Sequence, residues 1–536
     1  MVFPALKTCG EFSLLIFQIF HIIQENSADV QIYKYSQLLS IIVRFTIVNS
    51  NTMPRWRSGY AVDCRSTTTR FESGPWLFGS ITMSIRIQKT FEALFALEEI
   101  RGLFRESLPT GFDPAEEAAF QGRIAEVKAI LADLEAGTGT PRVTKIAGSI
   151  DLRTREEEAI NIQPIQAAGR LTTEARKALI SYGDGYSTCD ACRKPFRLDK
   201  ISKPGIAEFH ADLAKFVGMD HARVVPGARR GFQAVTGTLV SKGESVIVSA
   251  LAHYTEFLAV ENAGGLVREV PLDANNIVTG EATAEKIEEV RRETGKLPVL
   301  VMIDHFDYQF ANEHEIREIG KVAHQYDIPF LYNGAYTVGV MPVDGKKIGA
   351  DFVVGSGHKS MASVAPSGVL AMTEEWLPKA LRTTAMVGDL TKRKFGIKEV
   401  EMLGCTLMGG TLLSMMASFP TVKARTLKWE EEVKRSNYFI IQLLKIAGSR
   451  VLSEYPRKHT LTKVDTTGSF DTVAQTHKRR GFYLSDELSS RGIVGEFAGA
   501  TRTWKLNTYG LSDKKIHYLA DAFSEVAEKH GLAVEK

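Results

Sequence analysis

Asp351-Phe352-Val353-Val354-Gly355-Ser356-Gly357-His358-Lys359 is the stretch on which the reading of the fold turns. Its apolar start, Asp351 to Val354, predicts a short buried strand, and a glycine-containing turn then delivers a lysine. A cation is out of place at the end of a buried strand. Burial lowers a lysine pKa from about 10.4, and the neutral amine can form a Schiff base with an aldehyde cofactor. Taken alone, the same residues also describe a surface lysine on a strand-end loop.

Three features upstream weigh against that plain description. Pro226-Gly227-Ala228-Arg229-Arg230-Gly231 precedes a helix expected to begin near Phe232. Small residues, backbone N–H groups and a helix N-terminus make an anion cradle, to which Arg229 and Arg230 add charge. His253 and Tyr254 follow an apolar strand at Ser245–Val248, where an imidazole could stack on a flat ring. Asn333 ends the strand Pro329–Tyr332, 26 residues before Lys359. Cradle, stacking group, ring-nitrogen partner and lysine, in that order, resemble the pyridoxal-phosphate enzymes of fold type I, the aspartate-aminotransferase-like fold. Further strand-length runs, such as Pro298–Ile303, alternate with helical stretches from about Asn161 to Glu374. That alternation predicts an α/β domain with a mostly parallel central sheet covered on both faces. Beyond Phe395 a helix-rich stretch leads to a small C-terminal α+β unit around Gly481–Leu511.

Composition bounds the rest. The chain has 536 residues, a formal net charge of +3, 44% hydrophobic and 24% charged residues, which excludes collagen-like, disordered and multi-span membrane classes. Five cysteines (Cys9, Cys64, Cys189, Cys192 and Cys405) are too few for a disulfide scaffold and fit a reducing, cytoplasmic compartment. No membrane partner is expected. Residues 1–82 hold two apolar runs, Ser13–Ile23 and Leu38–Val48, each shorter than the roughly 18 residues a spanning helix needs. Lys7 with the first run could form a secretory signal, but no strand-and-helix grammar follows, so this stretch is expected to be a mis-assigned start or a disordered extension rather than a domain. Removing it leaves 536 − 82 = 454 residues. Residues 83–140 predict a helical hairpin, in which Asp113-Pro114-Ala115-Glu116 is a helix start. The hairpin serves either as a packing arm or as a docking module for a partner protein. Residues 150–390 are expected to form the large α/β domain, and 391–536 the helix-rich connection and small domain.

From Asn161 to Gly510 the chain is similar to the O-phosphoseryl-tRNA:cysteinyl-tRNA synthases, a family of archaeal pyridoxal-phosphate enzymes. The stretches that carry the resemblance are Ile162-Gln163-Pro164-Ile165-Gln166-Ala167-Ala168-Gly169-Arg170-Leu171-Thr172, Cys189-Asp190-Ala191-Cys192, Arg229-Arg230, His253-Tyr254, Asn333-Gly334-Ala335-Tyr336-Thr337-Val338-Gly339 and His358-Lys359. The resemblance implies a transferase that replaces the phosphate of phosphoseryl-tRNA(Cys) with sulfur. It implies that Arg229, Arg230, Asn333, Ser356, Gly357 and His358 bind the cofactor, and that Lys359 holds it covalently. It also implies a homodimer working beside phosphoseryl-tRNA synthetase, and the hairpin resembles a scaffold linking the two enzymes. His253 is expected in the catalytic set, and Arg170, Arg229 and Tyr254 are candidates to steady the departing phosphate.

Cys189, Cys192 and Cys405 are the expected handlers of sulfur. A C-x-x-C spacing favours thiolate, and Arg193 and Lys194 add positive potential. The three thiols could carry a persulfide, ligate an open-cornered iron–sulfur cluster, or be buried structural cysteines; a zinc site would want a fourth ligand. The sulfur donor is left open. For tRNA, only Lys392-Arg393-Lys394 and His477-Lys478-Arg479-Arg480 stand out, and such runs are usually solvated faces. The competing readings are a cysteine desulfurase-like or phosphoserine-processing enzyme on free amino acid, for which Arg502 could pair the carboxylate, and a catalytically dead scaffold. Intact Lys359 and His253 argue against the last.

Overall fold

The computed structural model describes residues 80–136, 159–165, 167–181, 201, 203–382, 386–394 and 409–536. Twelve strands are named in chain order: β1 (Ile160–Asn161), β2 (His221–Val225), β3 (Ser245–Ser249), β4 (Leu266–Val270), β5 (Leu300–Asp304), β6 (Phe330–Gly334), β7 (Phe352–Ser356), β8 (Gly368–Met372), β9 (Arg450–Val451), β10 (Leu461–Asp465), β11 (Ile493–Val494) and β12 (Thr503–Asn507). Seven of them form the central sheet, in the order β2-β8-β7-β6-β5-β3-β4. β3 to β7 pair in parallel, and β8 runs antiparallel to both β2 and β7. The expected α/β fold with a mostly parallel sheet is therefore present.

Period-two alternation divides each central strand between two cores. Ile247, Val301, Ile303, Phe330, Tyr332 and Val353 face one side, where Phe209, Leu213, Ile287 and Ile319 cover them from helices. Val246, Val248, Met302, Leu331, Phe352 and Val354 face the other, against Phe232, Val235, Ala259 and Val260. With both faces covered, the strands read as continuous apolar runs, and β3, β5, β6 and β7 were legible for that reason. β4 carries Arg268 and Glu269 at the sheet edge, so its apolar signal is diluted.

Two segments divide between the cores in a way the sequence did not detail. Helix Gly409–Thr426 sends Leu412, Met415, Phe419 and Val422 into the first core of the large domain, so the small domain begins only near Trp429. Ile160 and Ile162, expected in the large domain, instead join the small domain's core with Phe439, Leu443, Leu519 and Phe523. β1 pairs there in parallel with β11. The small domain also holds the antiparallel sheet β12-β10-β9.

The hairpin is formed by helices Ser80–Glu106 and Pro114–Ala136, starting three residues before the expected Met83. Asp113 Oδ1 accepts from the N–H of Ala115 and Glu116, and Glu116 Oε2 accepts from the Asp113 N–H at 2.8 Å, the reciprocal cap its spacing predicts. Ala96, Ile100 and Val127 close the pair of helices, and Glu99 binds Lys177 of helix Thr173–Ser181. Among the described residues no helix is long and apolar enough to cross a membrane.

Candidate active site

β7 ends at Ser356, and the short helix Gly357–Ser360 then carries Lys359 at the carboxyl edge of the parallel strands. Ligands of open α/β sheets gather at that edge. The turn is clamped from outside. Gly169 packs so closely that a Cβ there would lie 1.9 Å from the His358 carbonyl oxygen. The buried Arg425 guanidinium donates to the carbonyls of Gly339, Ala168 and Ser360, joining three loops around the lysine. Lys359 Nζ stands 4.5 Å over the Tyr336 ring. Desolvation is the largest influence on this amine, lowering its pKa to about 8, with Asp304 opposing the shift and Lys505 adding to it.

Beside it, His253 caps helix Tyr254–Asn262, its Nδ1 accepting from the Thr255 N–H at 3.3 Å. Burial first, then the charges of Lys359 and Lys505, lower its pKa to about 4. The ring is therefore neutral at physiological pH and offers an uncharged flat face. Tyr308 meets it edge-on at 5.1 Å.

Asn333 lies in register with Asp304 on the adjacent parallel strand. Its Nδ2 donates to Glu256 Oε1 at 2.6 Å and to Asp304 Oδ1 at 2.5 Å, while its Oδ1 accepts from the Ala335 N–H. Two buried carboxylates thus converge on one amide. Burial and mutual repulsion hold Glu256 well above the ordinary carboxylate range; burial and the charge of Asp307 raise Asp304 to about 8. Such a pair retains a proton at neutral pH. Sequence reading found Asn333 but missed Glu256 and Asp304. The available signal was a carboxylate closing the apolar run Leu300–Ile303.

The expected anion cradle is built differently in detail. Its helix begins at Ala228, four residues earlier than expected, so Arg229 and Arg230 sit inside the first turn; Arg229 is exposed and Arg230 half-buried. Gly227 makes the turn at φ 87°, and Gly368 packs against it with no room for a side chain. His358 Nδ1 lies 3.1 Å from the Ser367 carbonyl oxygen, which joins the lysine turn to the start of β8.

Four buried oxygens here receive no hydrogen bond from a protein N–H or hydroxyl donor: Ser356 Oγ, Ser367 Oγ, Glu256 Oε2 and Asp304 Oδ2, the last two belonging to carboxyls that can share one proton between them. Burying polar atoms unpaired is costly, so such atoms mark places where a ligand completes the bonding. Two hydroxyls near a helix N-terminus suit a phosphate, and carboxyls that retain a proton suit a ring nitrogen. The residues present fit pyridoxal phosphate.

Of the remaining candidates, Tyr254 packs its ring 4.4 Å from that of His253. Tyr254 is 63% exposed. The backbone of Arg170 follows Gly169 against the lysine turn, while its charge is felt by Lys515 near the hairpin. Arg502 is 74% exposed and paired with Asp471 at 3.0 Å. Lys392, Arg393, Lys394, Lys478, Arg479 and Arg480 are exposed, with Arg479 bound to Asp486. Cys189, Cys192 and Cys405 lie outside the described residues.

The family profile described as O-phosphoseryl-tRNA(Sec) selenium transferase matches residues 207–530. The chain is 86% identical over 454 residues to O-phospho-L-seryl-tRNA:Cys-tRNA synthase 2 of Methanoregula boonei, covering 85% of this chain and all of that protein. Its identity to the Methanospirillum hungatei protein of the same name is 71% over 453 residues, covering 84% and 99% of the two chains. Among solved structures, a SepCysS–SepCysE N-terminal domain complex matches with 41% identity and a TM-score of 0.64, over 70% of this chain and 97% of that one. An apo cysteine desulfurase from Thermococcus onnurineus matches with 16% identity and a TM-score of 0.55, over 70% and 96%, a likeness of fold alone. With this ancestry and this site, the chain belongs to the O-phospho-L-seryl-tRNA:Cys-tRNA synthase family.

Proposed function

We propose that the chain converts O-phosphoseryl-tRNA(Cys) to cysteinyl-tRNA(Cys), eliminating phosphate from the β-carbon and adding sulfur in its place. The observation that carries this is the desolvated Lys359 amine, set beside the neutral His253 ring and the Glu256–Asn333–Asp304 cluster. Bound pyridoxal phosphate supplies an electron sink for the substrate α-carbon. Lys359 would hold the cofactor aldehyde, and its Nζ is the base placed to take the substrate α-proton. His253 presents its flat ring. Ser356, Ser367 and the helix start at Ala228 would hold the cofactor phosphate, and the carboxyl pair would supply a proton to the ring nitrogen. Arg502, already committed to Asp471, is poorly placed to pair a free carboxylate, which favours the esterified substrate over a free amino acid. The test is purified protein with phosphoseryl-tRNA(Cys) and a sulfide or persulfide donor, with phosphate and the aminoacyl product scored together.

The same assay separates the half-reactions. Cys189→Ala and Cys192→Ala are expected to retain phosphate release and lose cysteinyl-tRNA, with Cys405→Ala matching them if the three thiols act as one persulfide relay or iron–sulfur site. Loss of phosphate release as well would assign the thiols a structural role. Retention of both products would mean that sulfide attacks unaided.

In the proposed organisation the protein is a cytoplasmic homodimer that works beside phosphoseryl-tRNA synthetase, and residues 83–140 form a docking module. Support comes from the related SepCysS, which was solved in complex with a SepCysE N-terminal domain. Residues 1–82 are proposed to be dispensable for activity and for stability, although the first helix of the hairpin already begins at Ser80. The Methanoregula relative, complete in its 454 matched residues, supports this. A protein beginning at Met83 is expected to show an unchanged melting temperature and turnover; loss of soluble protein or of catalysis would reverse the assignment.

A further inference from the structure

β10 and β12 are antiparallel, and their register places Lys463 directly opposite Lys505. Like charges facing each other across a strand pair destabilise a sheet. Among the described residues neither lysine has a carboxylate in ion-pair contact. Asp465, on the same face, is taken by Arg450 at 2.5 Å. Asp307 is occupied by the backbone N–H groups of Gln309, Phe310 and Asn312. Instead, aromatic rings hold the two ammonium groups. Lys463 Nζ lies 4.1 Å over Phe310, and Lys505 Nζ lies 5.2 Å over Tyr308 while donating to the Tyr308 carbonyl at 2.8 Å. Val464, Trp504 and Leu506 alternate with them into the small-domain core, so the lysines point the opposite way, toward the segment that follows Asp304. Tyr308 in turn touches His253, which connects the pair to the catalytic centre. Positive charge has been gathered here with no carboxylate among the described residues in ion-pair contact, and the nearby Asp307 acts on Lys505 only through its field.

We infer that Lys463 and Lys505 form the subsite for the phosphoryl group of the substrate. The inference rests on the proposed reaction. In that step the Cβ–O bond breaks and the oxygen keeps the electron pair, so the departing phosphate gains one negative charge as Cα gives up its proton. Two ammonium groups on the Tyr308 side of His253 stabilise a charge that rises along the reaction, the condition for accelerating it. The field of Lys505 at Lys359 and His253 agrees with this placement. A tRNA backbone phosphate has the same oxyanion chemistry, and the test separates the two.

The holoprotein, Lys463→Gln, Lys505→Gln and Lys505→Arg are compared in three measurements: inorganic phosphate titration by thermal shift, single-turnover phosphate release from phosphoseryl-tRNA, and binding of uncharged tRNA(Cys) against salt. Expected results for the glutamine variants are a melting temperature equal to or above wild type in phosphate-free buffer, and at least about tenfold weaker phosphate binding. Phosphate release falls about ten- to a hundredfold, with affinity for uncharged tRNA unchanged; Lys505→Arg retains most of both phosphate effects. A uniform loss of tRNA affinity, with the salt slope reduced by about one per lysine and phosphate binding intact, would assign the pair to the RNA backbone and overturn the inference. Unchanged phosphate binding and release would overturn it too. The phosphate titration needs no turnover, so failure of the proposed reaction is seen separately as wild-type protein that releases no phosphate.

Discussion

Lys359→Ala is expected to lose phosphate release by at least about 10²–10⁴-fold, the usual contribution of a positioned proton-transfer group. Borohydride should trap a pyridoxyl adduct on the wild-type protein and none at position 359 in the variant. An unchanged trapped adduct in Lys359→Ala would remove this lysine from its role. The pH dependence of reconstitution is a second check. Only the neutral amine attacks an aldehyde, and burial has lowered this amine to about 8. The rate at which apoprotein captures pyridoxal phosphate should therefore rise with pH through about 8 and level above it, well before the ordinary lysine range. The sign for stability is the opposite of a salt-bridged lysine. A depressed folded pKa means that the charged amine penalises the folded apoprotein below about pH 8, and the penalty fades as pH rises toward the unfolded value. Lys359→Met apoprotein should accordingly unfold at a higher temperature than wild-type apoprotein at neutral pH.

The second large effect is expected at Asn333. Read from sequence, an amide in place of a carboxylate suggests a shallower electron sink suited to elimination, so that Asn333→Asp would gain transamination. The structure places a stronger constraint on that residue. Asn333 is the donor between two buried carboxyls, and an aspartate there would set a third carboxylate within 2.6 Å of the others. Destabilisation of about 3–5 kcal/mol is expected, the usual cost of an uncompensated buried charge. Weakened cofactor retention should precede any change in product. The double variant Asn333→Asp with Glu256→Gln restores an amide donor between carboxylates, and should recover much of the stability; the two substitutions touch, so they should couple by about 0.5–3 kcal/mol. Full cofactor content and an unchanged melting temperature in Asn333→Asp would refute this account.

The sequence by itself determined what local order can encode. Buried strands show as apolar runs, and the turn after β7 shows as glycine, histidine and lysine. The cap at Asp113 shows as a four-residue pattern, and the spacing from Asn333 to Lys359 survives any detail of packing. Those signals span one strand, one turn or one strand-to-helix step, so reading along the chain recovers them. What the tertiary structure decided are the partners those residues acquire. Glu256 and Asp304 reach Asn333 from 77 and 29 residues away; Asp304 is marked only as a carboxylate closing an apolar run, and it takes parallel register for Asp304 and helix packing for Glu256 to bring them to the amide. Lys463 and Lys505 are ordinary strand lysines until β10 and β12 pair and set them against the catalytic segment. Ile160 and Ile162 look like the entry to the large domain and are buried in the small one. Hydrophobic periodicity is a property of adjacent residues, whereas charge compensation and desolvation depend on what else occupies the same few ångströms, and only the folded chain decides that.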